Sequence, residues 1–356
     1  MNQSNPTSVR SVSSALGLGQ KIFSTPEERR FASAVETGLD AVEAGLMSEM
    51  SFADNLADVT SRYLLNAGGK RVRPTLALLT AQLGDGNNSA VIAAAQAIEI
   101  THLASLYHDD VMDEAQMRRG VPSAQSVWGN SVAILTGDLL FARASKLVAG
   151  LGETVIRLQA DTFERLCLGQ LHETIGPKDD EDPIAHYLDV LADKTGSLIA
   201  AAAQIGVILS HAPGAYREAV TTFGEKVGVA FQLVDDVIDL APKVDETGKN
   251  PGTDLRSGVA TLPVLYLRHL AATDTDAADL LARIERDVNI AQYGVADEAE
   301  FTAAITELRE HRVTRQTLEE AHRWAREAVE ALAPLPAGPV KKALTKFAES
   351  IVERSS

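Results

Sequence analysis

From Pro26 to the C-terminus, apolar residues return at intervals of three and four and never alternate for long enough to make a strand. Phe31, Val35, Leu39, Val42 and Leu46 set the pattern, one buried stripe on an amphipathic helix. A second stretch runs through Leu56, Val59, Tyr63 and Leu64 and stops at Gly68-Gly69, a helix-ending pair. Helical segments are then expected over roughly 72–84, 89–118, 123–149, 152–175, 184–210, 215–240, 261–271, 275–288, 298–310, 315–332 and 338–354. An aromatic content of only 5%, against abundant Ala and Leu, favours the same answer. The pattern predicts an all-α fold with one domain over residues 26–356. A Ser-, Asn- and Gly-rich segment over 1–25 precedes it and is expected to be disordered.

Charge narrows the partners. A formal net charge of -16 argues against a general nucleic-acid binder, which carries a basic face. It leaves room for an anionic substrate, because local arginines or a bound metal invert the sign of a pocket. The single cysteine, Cys167, excludes an internal disulfide and suits a reducing cytoplasm. No run reaches the roughly 18 apolar residues of a membrane span, and Met1 to Lys21 lacks the apolar core of a signal peptide. A cytoplasmic protein without stable membrane insertion is therefore expected.

One internal repeat carries more information than any boundary. LYHDDVMDEA at 106–115 is answered by QLVDDVIDLA at 232–241, so DDxxD occurs twice, on two different predicted helices. Positions i and i+4 share a helix face, so Asp109 and Asp113 project side by side, and Asp235 and Asp239 repeat the pair. A single acidic cluster usually decorates a solvated face, as GPKDDEDP at 176–183 does in a loop. These two differ, because apolar neighbours such as Leu103, Val111, Val229 and Val234 surround them, and burying carboxylates without partners is costly. A hard divalent cation answers the need. Magnesium takes few protein carboxylates and completes its octahedron with water and phosphate oxygens, so it brings a phosphate substrate with it.

A second anion site is supplied by GGKRVRP at 68–74, where Lys70, Arg71 and Arg73 follow a glycine pair, and by Arg118 and Arg119, which are expected to close the first acidic helix. Singly, each of these is equally a solvated residue at a helix end. His102, in ITHLAS, has the ordinary reading of a satisfied core histidine. Only its place seven residues before Asp109, two turns along the same face, favours a diphosphate role. His108, next to Asp109, suggests a histidine-aspartate phosphohydrolase motif, but the further ligands that chemistry needs are not found.

GGKRVRP, HDDVMDEAQMRRG, GQLHE, DKTGSL, FQLVDDVIDL and GTDLRSGVATLP, in this order, resemble the trans-prenyl (polyprenyl) diphosphate synthase family of long-chain type over roughly residues 30–354. The resemblance implies an isoprenoid-synthase-like helical bundle around a central apolar cavity. It also implies a homodimer and a magnesium-dependent condensation of an allylic diphosphate with isopentenyl diphosphate. By the same resemblance, Asp109 and Asp113 hold two magnesium ions and Asp235 a third, with Asp110, Asp236 and Asp239 in support. Glu173 stands where many members have Asp. Lys70, Arg73 and His102, with Arg119 beside them, match the isopentenyl diphosphate site, and Arg118 an allylic diphosphate contact. Lys194, Thr195, Gln232 and Lys249 match positions lining the allylic diphosphate and the developing cation. The chain departs from the family at Val259, which follows Gly258 where many members carry a second lysine.

In this family a bulky residue just before the first aspartate motif resembles a floor that stops short products. Here Ala104 and Ser105, with Thr101, Ala97 and Ala94 further down, leave the floor open. One helical turn rises about 5.4 Å, close to one isoprene unit, so a long-chain product of about six to nine units is expected, suited to a quinone side chain. The same small residues also permit close helix packing. Two alternatives stay open. A class I terpene cyclase shares the first aspartate motif but is not expected to carry GGKRVRP or a second DDxxD. A non-catalytic partner subunit is expected to have lost aspartates that this chain keeps.

Overall fold

The computed structural model of the chain describes Leu16 and residues 23–241, 252–256, 258–293 and 298–354. In chain order the elements are α1 (Pro26–Glu49), α2 (Asn55–Asn66), α3 (Val72–Ala81), α4 (Ser89–Met112), strands β1 (Met117–Arg118) and β2 (Val121–Pro122), α5 (Ala124–Trp128), α6 (Asn130–Val148), α7 (Glu153–Ile175) and α8 (Pro183–Leu191). A π-helical turn (Ala192–Gly196) leads into α9 (Ser197–Leu209), followed by α10 (Tyr216–Asp239), α11 (Thr253–Arg256), α12 (Leu262–Ala271), α13 (Thr275–Tyr293), α14 (Glu298–Glu310), α15 (Arg312–Ala331) and α16 (Pro339–Glu353). The all-α expectation holds. Among the described residues the one sheet is the antiparallel pair Met117↔Pro122 and Arg118↔Val121.

Two compact units divide the chain. The first takes the described residues up to Phe163 with Leu198–Gly224 and Ala331–Ser350; the second takes Glu164–Ser197, Glu225–Glu330 and the residues from Ile351 onward.

In the first unit α4 is the central helix, packed against α1, α3 and, most extensively, α6. Its composition is apolar enough to cross a membrane, which the sequence reading did not anticipate, yet 67% of that window is buried, as in the core helix of a globular unit. Phe31, Val35, Leu39, Val42 and Leu46 of α1 are all buried, as their spacing predicts. Thr25 and Glu28 start α1 with a reciprocal capping box, and Glu28 also accepts from Lys342 of α16 at 2.6 Å. Asn88 caps α4 through Val91 N–H and donates to Leu209 O at the end of α9, so one side chain serves two helix ends. Tyr107 is buried in α4; its hydroxyl donates to Thr60 O and accepts from Leu64 N–H, which ties α2 to α4 two residues before the acidic motif.

Two predicted helices end or break early. The segment expected over 89–118 stops at Met112, because Ala115 N–H bonds Asp110 O and Glu114 N–H bonds Val111 O, a Schellman closure with Glu114 at φ 49°. No glycine announces it. Arg118 and Arg119 therefore sit on the hairpin and not on the helix, with Arg119 (φ 53°) and Gly120 (φ 78°) making the left-handed turn that suits two strands. The segment expected over 123–149 is two helices, broken at Gly129 (φ 84°).

The second unit has its own apolar core, in which Leu255, Leu267, Leu280, Phe301, Ile305 and Leu308 from α11 to α14 are buried together. Arg256 lies over the Phe301 ring at 4.5 Å. Helix α8 packs against α12 and continues directly into the π-turn.

Candidate active site

The Schellman closure leaves Asp113 as the C-cap of α4, with its backbone N–H on Asp109 O at 2.8 Å. Asp109 is half-buried and Asp113 exposed, both at the negative pole of a long helix, where a cation is favoured. Asp110 points the other way. It is fully buried, accepts from Arg118 Nε at 2.6 Å, and has one buried oxygen, Oδ2, without a partner. Burial raises its pKa, the Asp113 charge adds to this, and Arg118 opposes both. The expectation that each acidic cluster is buried as a whole is thus corrected: only the middle aspartate is, and the flanking pair faces outward.

GGKRVRP folds around its own arginine. Gly68 and Gly69 adopt φ 102° and 143°, and Arg71 takes the left-handed region at φ 55°. A Cβ on Gly69 would come within 2.6 Å of the Arg71 guanidinium and 3.1 Å of that of Arg119. Arg71, only 4% exposed, is bound by Glu43 at 2.6 Å and Glu99 at 3.2 Å, and it donates to Gly68 O and Leu65 O. Arg71 therefore builds the loop and is not a donor held ready for a substrate. Lys70 is exposed beside it.

Arg73 differs. Its Nε is buried without a hydrogen-bond partner, and burial, reinforced by Arg119, pushes its pKa down to about 10 against the pull of Glu99. His102 shares this surrounding: burial first, then Arg73, Arg119, Arg118 and Arg71, hold its pKa well below 6.5, so the ring is neutral near pH 7. Arg119 donates to Leu64 O at 2.9 Å and to Gly68 O, fastening the hairpin to the glycine loop. The structure thus brings Arg73, His102, Arg118 and Arg119 into one electropositive cluster. Half-buried cations around one buried donor without a partner fit a polyanion such as diphosphate. His108 has other work: its ring lies against Gly137, where a Cβ would be 2.3 Å away, and it meets Ile134 O at 3.0 Å and Asp138 at 3.3 Å.

In the second unit the DDxxD of α10 divides similarly. Asp236 is buried, accepts from the Tyr187 hydroxyl at 2.8 Å and from Leu262 N–H, and burial raises its pKa well above the usual carboxylate range. Asp239 accepts from Asp254 N–H at 3.1 Å, stitching α10 to α11. Asp235 is half-buried and meets Arg354, which also covers the Phe231 ring, at 3.3 Å. Gln232 lies half-buried one turn earlier. Lys194 and Thr195 sit in the π-turn, half-buried, with Lys194 bonded to Glu173. Lys249 lies outside the described residues. Sequence reasoning missed Tyr187, Glu43 and Glu99, which no motif marks, and it took Arg71 of GGKRVRP for an anion-site donor where the two glutamates hold it in the loop.

Magnesium fits the donors on both helices: hard carboxylate oxygens, few in number, turned outward beside apolar packing. Among the described residues no group of three or more His, Cys, Asp or Glu side chains forms a closed cage. A closed cage is not what magnesium needs when water and phosphate complete its shell.

A family model described as polyprenyl synthetase matches residues 54–295. The chain is 44% identical to the nonaprenyl diphosphate synthase of Mycobacterium tuberculosis, over 91% of this chain and 94% of that one. Among solved structures it is similar to a polyprenyl synthase from Caulobacter crescentus complexed with calcium and isoprenyl diphosphate, at TM-score 0.81 and 30% identity, over 92% of this chain and 98% of that one. It is also similar to a geranylgeranyl pyrophosphate synthase from Corynebacterium glutamicum in complex with the same two ligands, at TM-score 0.78 and 39% identity, over 94% and 99%. Sequence, fold and family model agree: the chain belongs to the polyprenyl synthetase family and is a prenyltransferase.

Proposed function

We propose that the protein condenses an allylic diphosphate, farnesyl or geranylgeranyl, with successive isopentenyl diphosphates to a long-chain all-trans polyprenyl diphosphate. The observation that carries this is the buried Arg73 Nε without a partner, in a guanidinium cluster around a neutral His102, in the same unit as an outward carboxylate pair. The first feature suits a bare diphosphate and the second a metal-bound one.

Lys70, Arg73 and His102, with Arg119, hold isopentenyl diphosphate; Arg118, already anchored to Asp110, turns its remaining donors to the allylic diphosphate. Asp109, Asp113 and Asp235 are the carboxylates that would hold magnesium, about three ions by resemblance. Bound there, magnesium supplies Lewis-acid stabilisation of the charge that develops on the leaving diphosphate. Lys194 neutralises part of the same charge, while Thr195 and Gln232 line the developing allylic cation. That cation needs water kept from it until the next bond forms. The isopentenyl double bond attacks the allylic carbon, and a proton then leaves to the departing diphosphate, so no nucleophilic side chain is required.

The product length we propose rests on the small size of Ala94, Ala97, Thr101, Ala104 and Ser105 on α4. The nonaprenyl name of one relative agrees with a long chain, while one solved neighbour is named for geranylgeranyl, so the exact number of units rests on the chain's own residues. A quinone side chain is the use such a product suits, and a cytoplasmic homodimer the form expected. The exposed Ile134, Leu135 and Ile156 of the first unit give a dimer apolar surface to cover.

Asp113→Ala tests the metal assignment. Turnover should fall by about 100-fold or more with the helical circular dichroism unchanged, because an exposed C-cap side chain carries little of the fold. Near-normal turnover contradicts the reading.

A further inference from the structure

The π-turn at Ala192–Gly196 is closed by Ser197 N–H on Ala192 O, one residue more than an α-turn holds. The extra residue rotates everything beyond it by about 100° relative to a continuous α-helix, and Lys194 and Thr195 lie within the turn itself. Such a turn persists only where its surroundings hold it.

Helix α7 supplies three holds from successive turns of one face. Arg165 donates to Asp193 Oδ1 at 2.7 Å. Gly169, four residues on, packs against the Asp193–Lys194 backbone, where a Cβ would stand 2.9 Å from Lys194 N. Glu173, four further, takes the Lys194 ammonium. Helix α10 grips the opposite side with the same economy. Glu225 binds the second arm of the Arg165 guanidinium, and Gly228, one turn later, lies so close to Gly196 that a Cβ would be 2.5 Å from its Cα. Arg165 is thus the residue that joins both holding helices to the turn. The paired carboxylates raise its pKa despite partial burial, so it stays a cation throughout the working range.

We propose that Arg165 is a positioning residue: by binding Asp193 and Glu225 together it fixes the π-turn in the register that presents Lys194 and Thr195 to the allylic diphosphate. The role rests on the reading of Lys194 and Thr195 given above. Nothing in the family motifs points to it, since Arg165 lies outside GQLHE and DKTGSL.

The test compares Arg165→Met, Asp193→Asn and Lys194→Ala in the full chain, with farnesyl diphosphate and isopentenyl diphosphate as probes. Arg165→Met should raise the KM for farnesyl diphosphate by about ten- to a hundredfold and leave that for isopentenyl diphosphate unchanged. Asp193→Asn removes one arm at a half-exposed position and should raise the same KM by less, and Arg165→Lys should recover part of the loss. A merely structural arginine would lower the melting temperature and move neither KM. If Lys194→Ala leaves the farnesyl diphosphate KM unchanged, the reading of Lys194 fails and the positioning role falls with it. If Lys194→Ala raises it while Arg165→Met and Asp193→Asn do not, only the positioning role is overturned.

Discussion

At the scale of single residues, each DDxxD assigns its aspartates different duties. The middle one, Asp110 or Asp236, is spent on the protein, held by Arg118 in one case and by Tyr187 and Leu262 N–H in the other. The first, Asp109 or Asp235, stays at the surface. Arg71 shows the same division inside a basic motif. It is 4% exposed and its partner Glu99 3%, so Arg71→Ala strands a buried carboxylate and should destabilise the fold by about 3–5 kcal/mol in urea unfolding. A loss under about 1 kcal/mol would mean that the loop does not depend on it. His102 gives the pH dependence. Its folded pKa lies well below the unfolded value near 6.5, so the unfolded chain binds the proton first. The stability contribution is present above about pH 6.5 and declines as pH falls through that value towards the folded pKa. His102→Gln should flatten the melting-temperature profile between about pH 7 and 5; an unchanged slope would show that other groups set it.

At the scale of elements, α4 is central to the proposed function. Its last turn presents Asp109 and Asp113, and its buried residues include Ala104 and Ser105, where the proposed function places the growing chain. Replacing Ala104 with Phe should shorten the longest product by several isoprene units, read by chromatography of the dephosphorylated prenols. An unchanged product places the growing chain elsewhere. Spacing made the helices legible: every member of the α1 stripe is buried, because burial of an apolar face is what the 3.6-residue period records. It did not make the end of α4 legible, since a Schellman closure at Glu114 uses no glycine. Arg118 and Arg119 consequently appear in sequence as a helix end and in space as a hairpin. The π-turn was equally hidden, because one extra residue leaves the segment helical on both sides, from Pro183 to Leu209.

At the scale of the molecule, two compact units each carry one aspartate motif, and the candidate site residues were legible in the linear order of motifs from GGKRVRP to FQLVDDVIDL. The partners that hold them were not, because Glu43, Tyr187 and Arg165 reach their targets across many residues of chain. Family membership fixes prenyl transfer, while relatives named for nonaprenyl and geranylgeranyl products leave chain length to be decided by the protein itself. The most direct measurement is incubation of the purified protein with magnesium, labelled isopentenyl diphosphate and farnesyl or geranylgeranyl diphosphate, followed by sizing of the dephosphorylated products. The account predicts a ladder ending at one all-trans species beyond geranylgeranyl, about six to nine units long, and no incorporation when magnesium is chelated. A product that stops at geranylgeranyl would contradict the long-chain assignment, and no incorporation by folded protein with any primer would contradict the synthase itself.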